Sequence, residues 1–238
     1  LATLARELDN TSAPMIYLGA TTLDTWFPGF ALDNRIDFGD RAPLASIWIG
    51  NRTRVPAHHD LPDNLACVVA GRRRFTLFPP DQIDNLYIGP LDVTPAGQPV
   101  SLVDPAAPDL ARFPRFVDAW ARAQVAELGP GDAVLIPSLW WHAIDALDGV
   151  NVLVNYWWRR APDWMDAPLN ALMAGLLAIR QLPAHERAHW KRMFEHYVFD
   201  ADDTTAAHIP ETARGVLAPF DEAGAANLRR VLRQRLER

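Results

Sequence analysis

The residues best placed to do chemistry lie in the run Val55-Pro56-Ala57-His58-His59-Asp60. His58 and Asp60 flank His59, so on an extended strand they project from one face while His59 points away as a bystander. An imidazole beside a carboxylate supplies two of the three ligands of a 2-His-1-carboxylate site, which holds Fe(II) and leaves coordination positions open. The third ligand must come from elsewhere. The candidate is His142, which follows Gly131-Asp132 and an apolar stretch over 133–136 and falls just past the end of that predicted strand. A bare His-x-Asp triplet is common by chance, and a loop histidine beside a solvated aspartate is its ordinary explanation, so the surrounding elements decide.

Those elements read as strands. Residues 45–49 form an apolar strand closed by Gly50 that feeds into the histidine segment. Residues 65–70 are a continuous apolar run suited to a buried strand, and after Gly71 a second strand is anchored by Phe75, Leu77 and Phe78. By alternation Arg73 faces one way there and Arg72 and Arg74 the other. A further strand returns over 150–158. Upstream, Leu1, Leu4, Ala5 and Leu8 have helical spacing, and residues 15–18 read as a short strand. Residues 81–129 form a long, proline-dense connection, with a short helix predicted over 115–123. The tail over 163–238 changes character: helix starts are expected at Pro168, Pro183 and Pro219, and apolar faces are formed by Leu169, Leu172, Met173 and Leu176 and by Leu228, Val231, Leu232 and Leu236.

From Tyr17 to Pro162 the chain resembles the JmjC and cupin-like (cupin 8 type) Fe(II)/2-oxoglutarate oxygenases, a family that includes the asparaginyl hydroxylase factor-inhibiting HIF and bacterial relatives. The resemblance implies a mainly β fold, a double-stranded β-helix or jelly-roll barrel over 1–162 with helical appendages. Residues 81–129 would be an ordered cover over one end, and 163–238 a helical region that makes a homodimer; packing of that tail on the barrel is the other reading. It also implies that His58, Asp60 and His142 hold Fe(II), that Tyr17, Asn64, Arg73 and Asn155 bind 2-oxoglutarate as co-substrate, and that Trp141 and Trp157 line a substrate pocket. For Tyr17 and Trp157 a place in the barrel wall is an equal reading. Two positions depart from the family: Arg73 stands where the family has a lysine, and Val55 where it has a threonine. A guanidinium fork matches a carboxylate bidentately but is not interchangeable with an ammonium. Thr53 could supply the missing hydroxyl only through a shift of register.

The implied reaction uses O₂ and oxidises an unidentified protein side chain or small molecule. A cupin metalloenzyme that does not use 2-oxoglutarate, or a non-catalytic metal-containing binding module, are the alternatives. A remote rival is a zinc protease, since His185-Glu186-Arg187-Ala188-His189 matches H-E-x-x-H literally. Composition fits a globular protein: 238 residues, 49 % apolar, 22 % charged, net charge −6. That balance carries no general basic footprint for nucleic acid, and no apolar run suits a membrane. The single cysteine, Cys67, rules out an intrachain disulfide and, with no leader in view, leads to a cytoplasmic expectation.

Overall fold

A computed structural model describes residues 14–95, 97–219 and 221–237. The helix predicted over residues 1–8 lies outside the described residues. The strands are β1 (Tyr17–Thr22), β2 (Leu44–Gly50), β3 (Arg54–His58), β4 (Asp63–Ala70), β5 (Arg73–Phe78), β6 (Gln124–Leu128), β7 (Ala133–Ile136), β8 (Trp141–Ala146) and β9 (Asn151–Trp158). They form a five-stranded sheet in the order β1-β2-β9-β4-β7 and a four-stranded sheet in the order β3-β8-β5-β6. The named strand pairs are all antiparallel. Strands β2 to β5 alternate between the two sheets, which makes this a jelly-roll of two facing sheets.

Each sheet has two apolar faces, and that is why the strands read as nearly continuous hydrophobic runs. Between the sheets lie Ala66, Val68, Phe75, Leu77, Ile136 and Leu153, flanked by Trp48, Trp140 and Ile144. Behind the larger sheet, Ile47, Ile49, Val154 and Tyr156 pack against Leu23, Phe27 and Phe30, which belong to α1 (Leu23–Trp26) and α2 (Phe30–Asp33) and the turn between them. Behind the smaller sheet, Ala57, Phe78, Trp141 and Ala143 pack against Leu86, Val103, Phe113, Phe116 and Ala119. Each fully buried large apolar side chain contributes about 1.5–3 kcal/mol. The last group comes from the segment predicted as a covering loop. That segment carries α3 (Phe116–Ala121), within the helix predicted over 115–123, and the edge strand β6, which was not predicted and pairs with β5.

Gly71 makes the β4–β5 turn at φ 71°, where a Cβ would lie 2.2 Å from the Val150 carbonyl oxygen. Only glycine fits there.

The chain divides into two compact units, residues 1–160 and 161–238. The second contains α4 (Pro168–Ala178), α5 (Ala184–Phe194) and α6 (Glu222–Leu236). Proline at the start of α4 and the Asp221 carboxylate accepting from the Gly224 amide at 2.7 Å fix two of the helix starts. Arg229 on α6 ties back to Asp166 at 3.0 Å and to the Trp164 carbonyl. Among the described residues, no helix is long and apolar enough to cross a membrane.

Candidate metal centre and its cavity

Strand β3 carries His58 at its end and β8 carries His142 near its start, and the two are register partners. Their rings lie 4.3 Å apart between centroids. Asp60 follows β3 by two residues and brings Oδ2 to 3.7 Å from His142 Nε2. One ligand atom from each of His58, Asp60 and His142 lies within 4.8 Å of the others, the one such group among the described residues. The sequence placed His142 just past a strand. In the structure β7 ends at Ile136, a turn with Leu139 at φ 67° follows, and His142 belongs to the next strand.

The turns that carry these candidate ligands are bound to each other. The Leu139 amide donates to the Asp60 carbonyl at 2.9 Å, the Ser138 hydroxyl to the Leu61 carbonyl at 2.6 Å, and the Ser138 amide to the Asp63 carboxylate at 3.1 Å. Asp63 in turn accepts from Arg160 at 2.8 Å.

The donor set fits a divalent cation. His58 Nδ1 donates to the Pro56 carbonyl at 2.9 Å and His142 Nδ1 to the Trp140 carbonyl at 3.0 Å. A carbonyl can only accept, so both rings carry a proton on Nδ1, which leaves Nε2 as the nitrogen that would bind a metal ion. Burial, with the neighbouring His58 charge adding to it, pushes His142 down to about 3, so its imidazole stays neutral. Burial pushes the Asp60 carboxyl up, against the pull of His58, His59 and a hydrogen bond from Gln98. A bound cation would hold that carboxylate ionised.

The three residues line a cavity of about 580 Å³ in the first unit, with Tyr17, Trp48, Val55, Asn64, Gln98, Asn155 and Trp157 also on its wall. Deeper along the sheet, counting inward positions opposite His142, Ile144 and Ala146, come Leu77, Phe75 and Arg73. Arg73 is 1 % exposed. Its Nε and Nη2 have no hydrogen-bond partner among the described residues. Burial lowers its pKa, and the Tyr17 phenol beside it is raised by burial, with the Arg73 cation offsetting only part of that rise. Arg72, exposed, and Arg74, half-buried, are by contrast paired with Asp148 and Glu127.

Asn64 and Asn155 are both buried and hydrogen-bonded to each other at 3.2 Å. Trp157 lines the cavity, whereas Trp141, expected there from the sequence, does not: it is 3 % exposed, packs with Phe78, Phe116 and Ala143, and meets His59 edge-on at 4.6 Å. Strand alternation requires this, because neighbouring His142 faces inward. Val55, not Thr53, reaches the cavity wall, so no register shift supplies the hydroxyl. His185 and His189 sit on α5 with no third ligand converging among the described residues, which removes the site a zinc protease would need.

Gln98 was not foreseen. It comes from the covering segment and donates to Asp60 Oδ1 at 3.2 Å. Nothing in its local sequence signals this, since the contact depends on how a proline-rich segment folds over the cavity.

Residues 1–164 match the cupin-like domain family. Lysine-specific demethylase JMJ31 of Arabidopsis thaliana is 35 % identical over 138 residues, 55 % of this chain and 25 % of its own. HSPB1-associated protein 1 of Rattus norvegicus is 31 % identical over 156 residues, 63 % of this chain and 32 % of its own. tRNA wybutosine-synthesizing protein 5 of Danio rerio is 37 % identical over 105 residues, 44 % of this chain and 29 % of its own. The chain thus spans about a quarter to a third of the length of these relatives.

Proposed function

We propose that this chain, which belongs to the JmjC-type cupin-like domain family, is an Fe(II)- and 2-oxoglutarate-dependent oxygenase that hydroxylates a protein side chain or a small molecule. The observation that carries the reading is the preformed ligand trio together with a buried guanidinium, Arg73, that keeps two nitrogens without a hydrogen-bond partner among the described residues. His58, Asp60 and His142 supply two imidazoles and a carboxylate, the donor set suited to an Fe(II) oxygenase that leaves coordination positions open. Arg73 is a desolvated guanidinium whose free Nε and Nη2 edge matches both oxygens of a carboxylate. A buried charge without a partner is costly, so the site asks for an anion.

Bound there, Fe(II) with 2-oxoglutarate would supply oxygen activation, the co-substrate being oxidised to succinate and CO₂. The chain's own residues orient and shield. His58 and His142 are held in one tautomer by backbone carbonyls. Asp60 is held by Gln98 on one oxygen, leaving the other toward His142. Arg73 and Tyr17 would receive the far carboxylate of the co-substrate, and Asn64 and Asn155 its near end. Apolar Val55, Ile144 and Leu153 keep the wall dry. The apolar faces of α4 and α6 support homodimer formation as part of this reading, which sedimentation would check.

Iron-dependent conversion of 2-oxoglutarate to succinate, lost in His142→Ala and in Arg73→Met, tests the reading. Val55 favours a second one, a cupin metalloenzyme without this co-substrate, because the wall lacks the hydroxyl donor there. Iron binding without any 2-oxoglutarate turnover would select it.

A further inference from the structure

We propose that Trp48 is a positioning residue: its indole N–H fixes which way the amides of Asn155 and Asn64 face, so that the wall beside the metal ligands offers an N–H donor and selects ligands bringing an oxygen acceptor. The inference rests on the co-substrate reading above for the identity of that ligand, but not for the relay itself.

The relay has a single consistent direction. Trp48 Nε1 donates to Asn155 Oδ1 at 2.7 Å. An indole nitrogen donates only, so Asn155 must turn its oxygen to Trp48 and its NH₂ the other way. That NH₂ donates to Asn64 Oδ1 at 3.2 Å. Asn64 is then left with its own NH₂, which has no protein acceptor among the described residues, at the wall of the cavity. Asn155 and Asn64 are 2 % and 5 % exposed. Flipping either amide would set two buried donors against each other, with nothing nearby to satisfy them.

Trp48 is itself fixed by close packing. A Cβ on Gly19 would come within 2.7 Å of its ring, so the indole fills space that only glycine leaves open. Tyr17 lies against it at 5.7 Å and Trp157 meets it edge-on at 5.8 Å. Trp157 is the direct cross-strand partner of Asn64, and its buried Nε1 also lacks an acceptor. Two residues paired across β4 and β9 on this wall thus each keep an N–H donor without a protein acceptor among the described residues. A carboxylate or carbonyl oxygen satisfies them; an ammonium does not.

The test is Trp48→Phe, alone and with Asn64→Ala, read by anaerobic titration of the Fe(II)-loaded protein with 2-oxoglutarate. Phenylalanine keeps an aromatic ring and removes the donor. The expected result is an affinity about tenfold weaker, unchanged Fe(II) affinity, and no further loss when Trp48→Phe is added to Asn64→Ala, since the indole acts through that amide. Wild-type affinity in Trp48→Phe, or a loss that adds in full to that of Asn64→Ala, overturns the proposal. Proton exchange of the Trp48 indole in the metal-free protein separates the relay from the co-substrate reading. Slow exchange in the wild type, kept in Asn155→Asp and lost in Asn155→Ala, supports the relay even if 2-oxoglutarate never binds. Fast exchange in the wild type overturns it.

Discussion

His142 faces His58 directly across the β3–β8 pairing, with their ring centroids 4.3 Å apart. Strand register thus brings together two candidate metal ligands far apart in the chain. The turn before His142 is held to the turn after His58 by the Leu139, Ser138 and Asp63 hydrogen bonds. The site is therefore preformed by backbone, and its weak points are the residues that join the two turns or face the cavity.

Asp63 is the first. Burial raises its carboxyl, but the Ser138 amide and Arg160 outweigh that and hold its pKa below the ordinary value. Asp63→Asn is expected to destabilise the fold by about 1–3 kcal/mol at neutral pH. A depressed folded-state pKa gives stability that is complete above the unfolded value of about 3.9 and lost as pH falls through the folded pKa. Thermal unfolding of both proteins against pH should show a constant gap above about pH 5 that closes in acid. A gap that stays open in acid would assign the effect to packing instead.

Arg73 is a different case. It is 1 % exposed with two nitrogens unpaired, so Arg73→Met is expected to leave stability unchanged or raise it, by up to about 4 kcal/mol. The same change should weaken 2-oxoglutarate binding about a hundredfold or more. Calorimetry and ligand titration check the two halves. A variant that unfolds, or one that binds normally, contradicts the role given to this cation.

Gln98→Ala should lower Fe(II) affinity about 10–100-fold by freeing the Asp60 carboxylate, with the melting temperature of the metal-free protein unchanged. Direct metal titration decides this. Unaltered affinity would make the contact incidental.

At Gly71, φ 71° and a Cβ position 2.2 Å from the Val150 oxygen leave no room for a side chain. Gly71→Ala is expected to cost about 2–4 kcal/mol, read as a lower midpoint in denaturant unfolding. An unchanged midpoint would mean that the β4–β5 turn relaxes freely.

Much of this was legible in the sequence because a period of two leaves a clear mark. The alternation around His59 put His58 and Asp60 on one face, and the apolar runs before and after Gly71 became β4 and β5. The same alternation, applied at Trp141, would have turned that ring away from the cavity, since it adjoins His142. β6 was hidden for a physical reason: an edge strand whose burial pattern is mostly exposed leaves little hydrophobic signal, and it follows a proline-dense stretch. Gln98 and Trp48 could not be read locally. Their roles arise from partners distant in the chain, Asp60 and Asn155, that only the folded sheets bring within hydrogen-bonding range.

On the proposed reading, His58, Asp60 and His142 hold Fe(II) while 2-oxoglutarate occupies the same cavity. Anaerobic titration of the Fe(II)-loaded protein with 2-oxoglutarate, with His58→Ala as control, decides both halves at once. The expected result is a visible metal-to-ligand charge-transfer band that saturates in the wild type and is missing from the variant. Confirmed iron loading with no band at any 2-oxoglutarate concentration would contradict the claim.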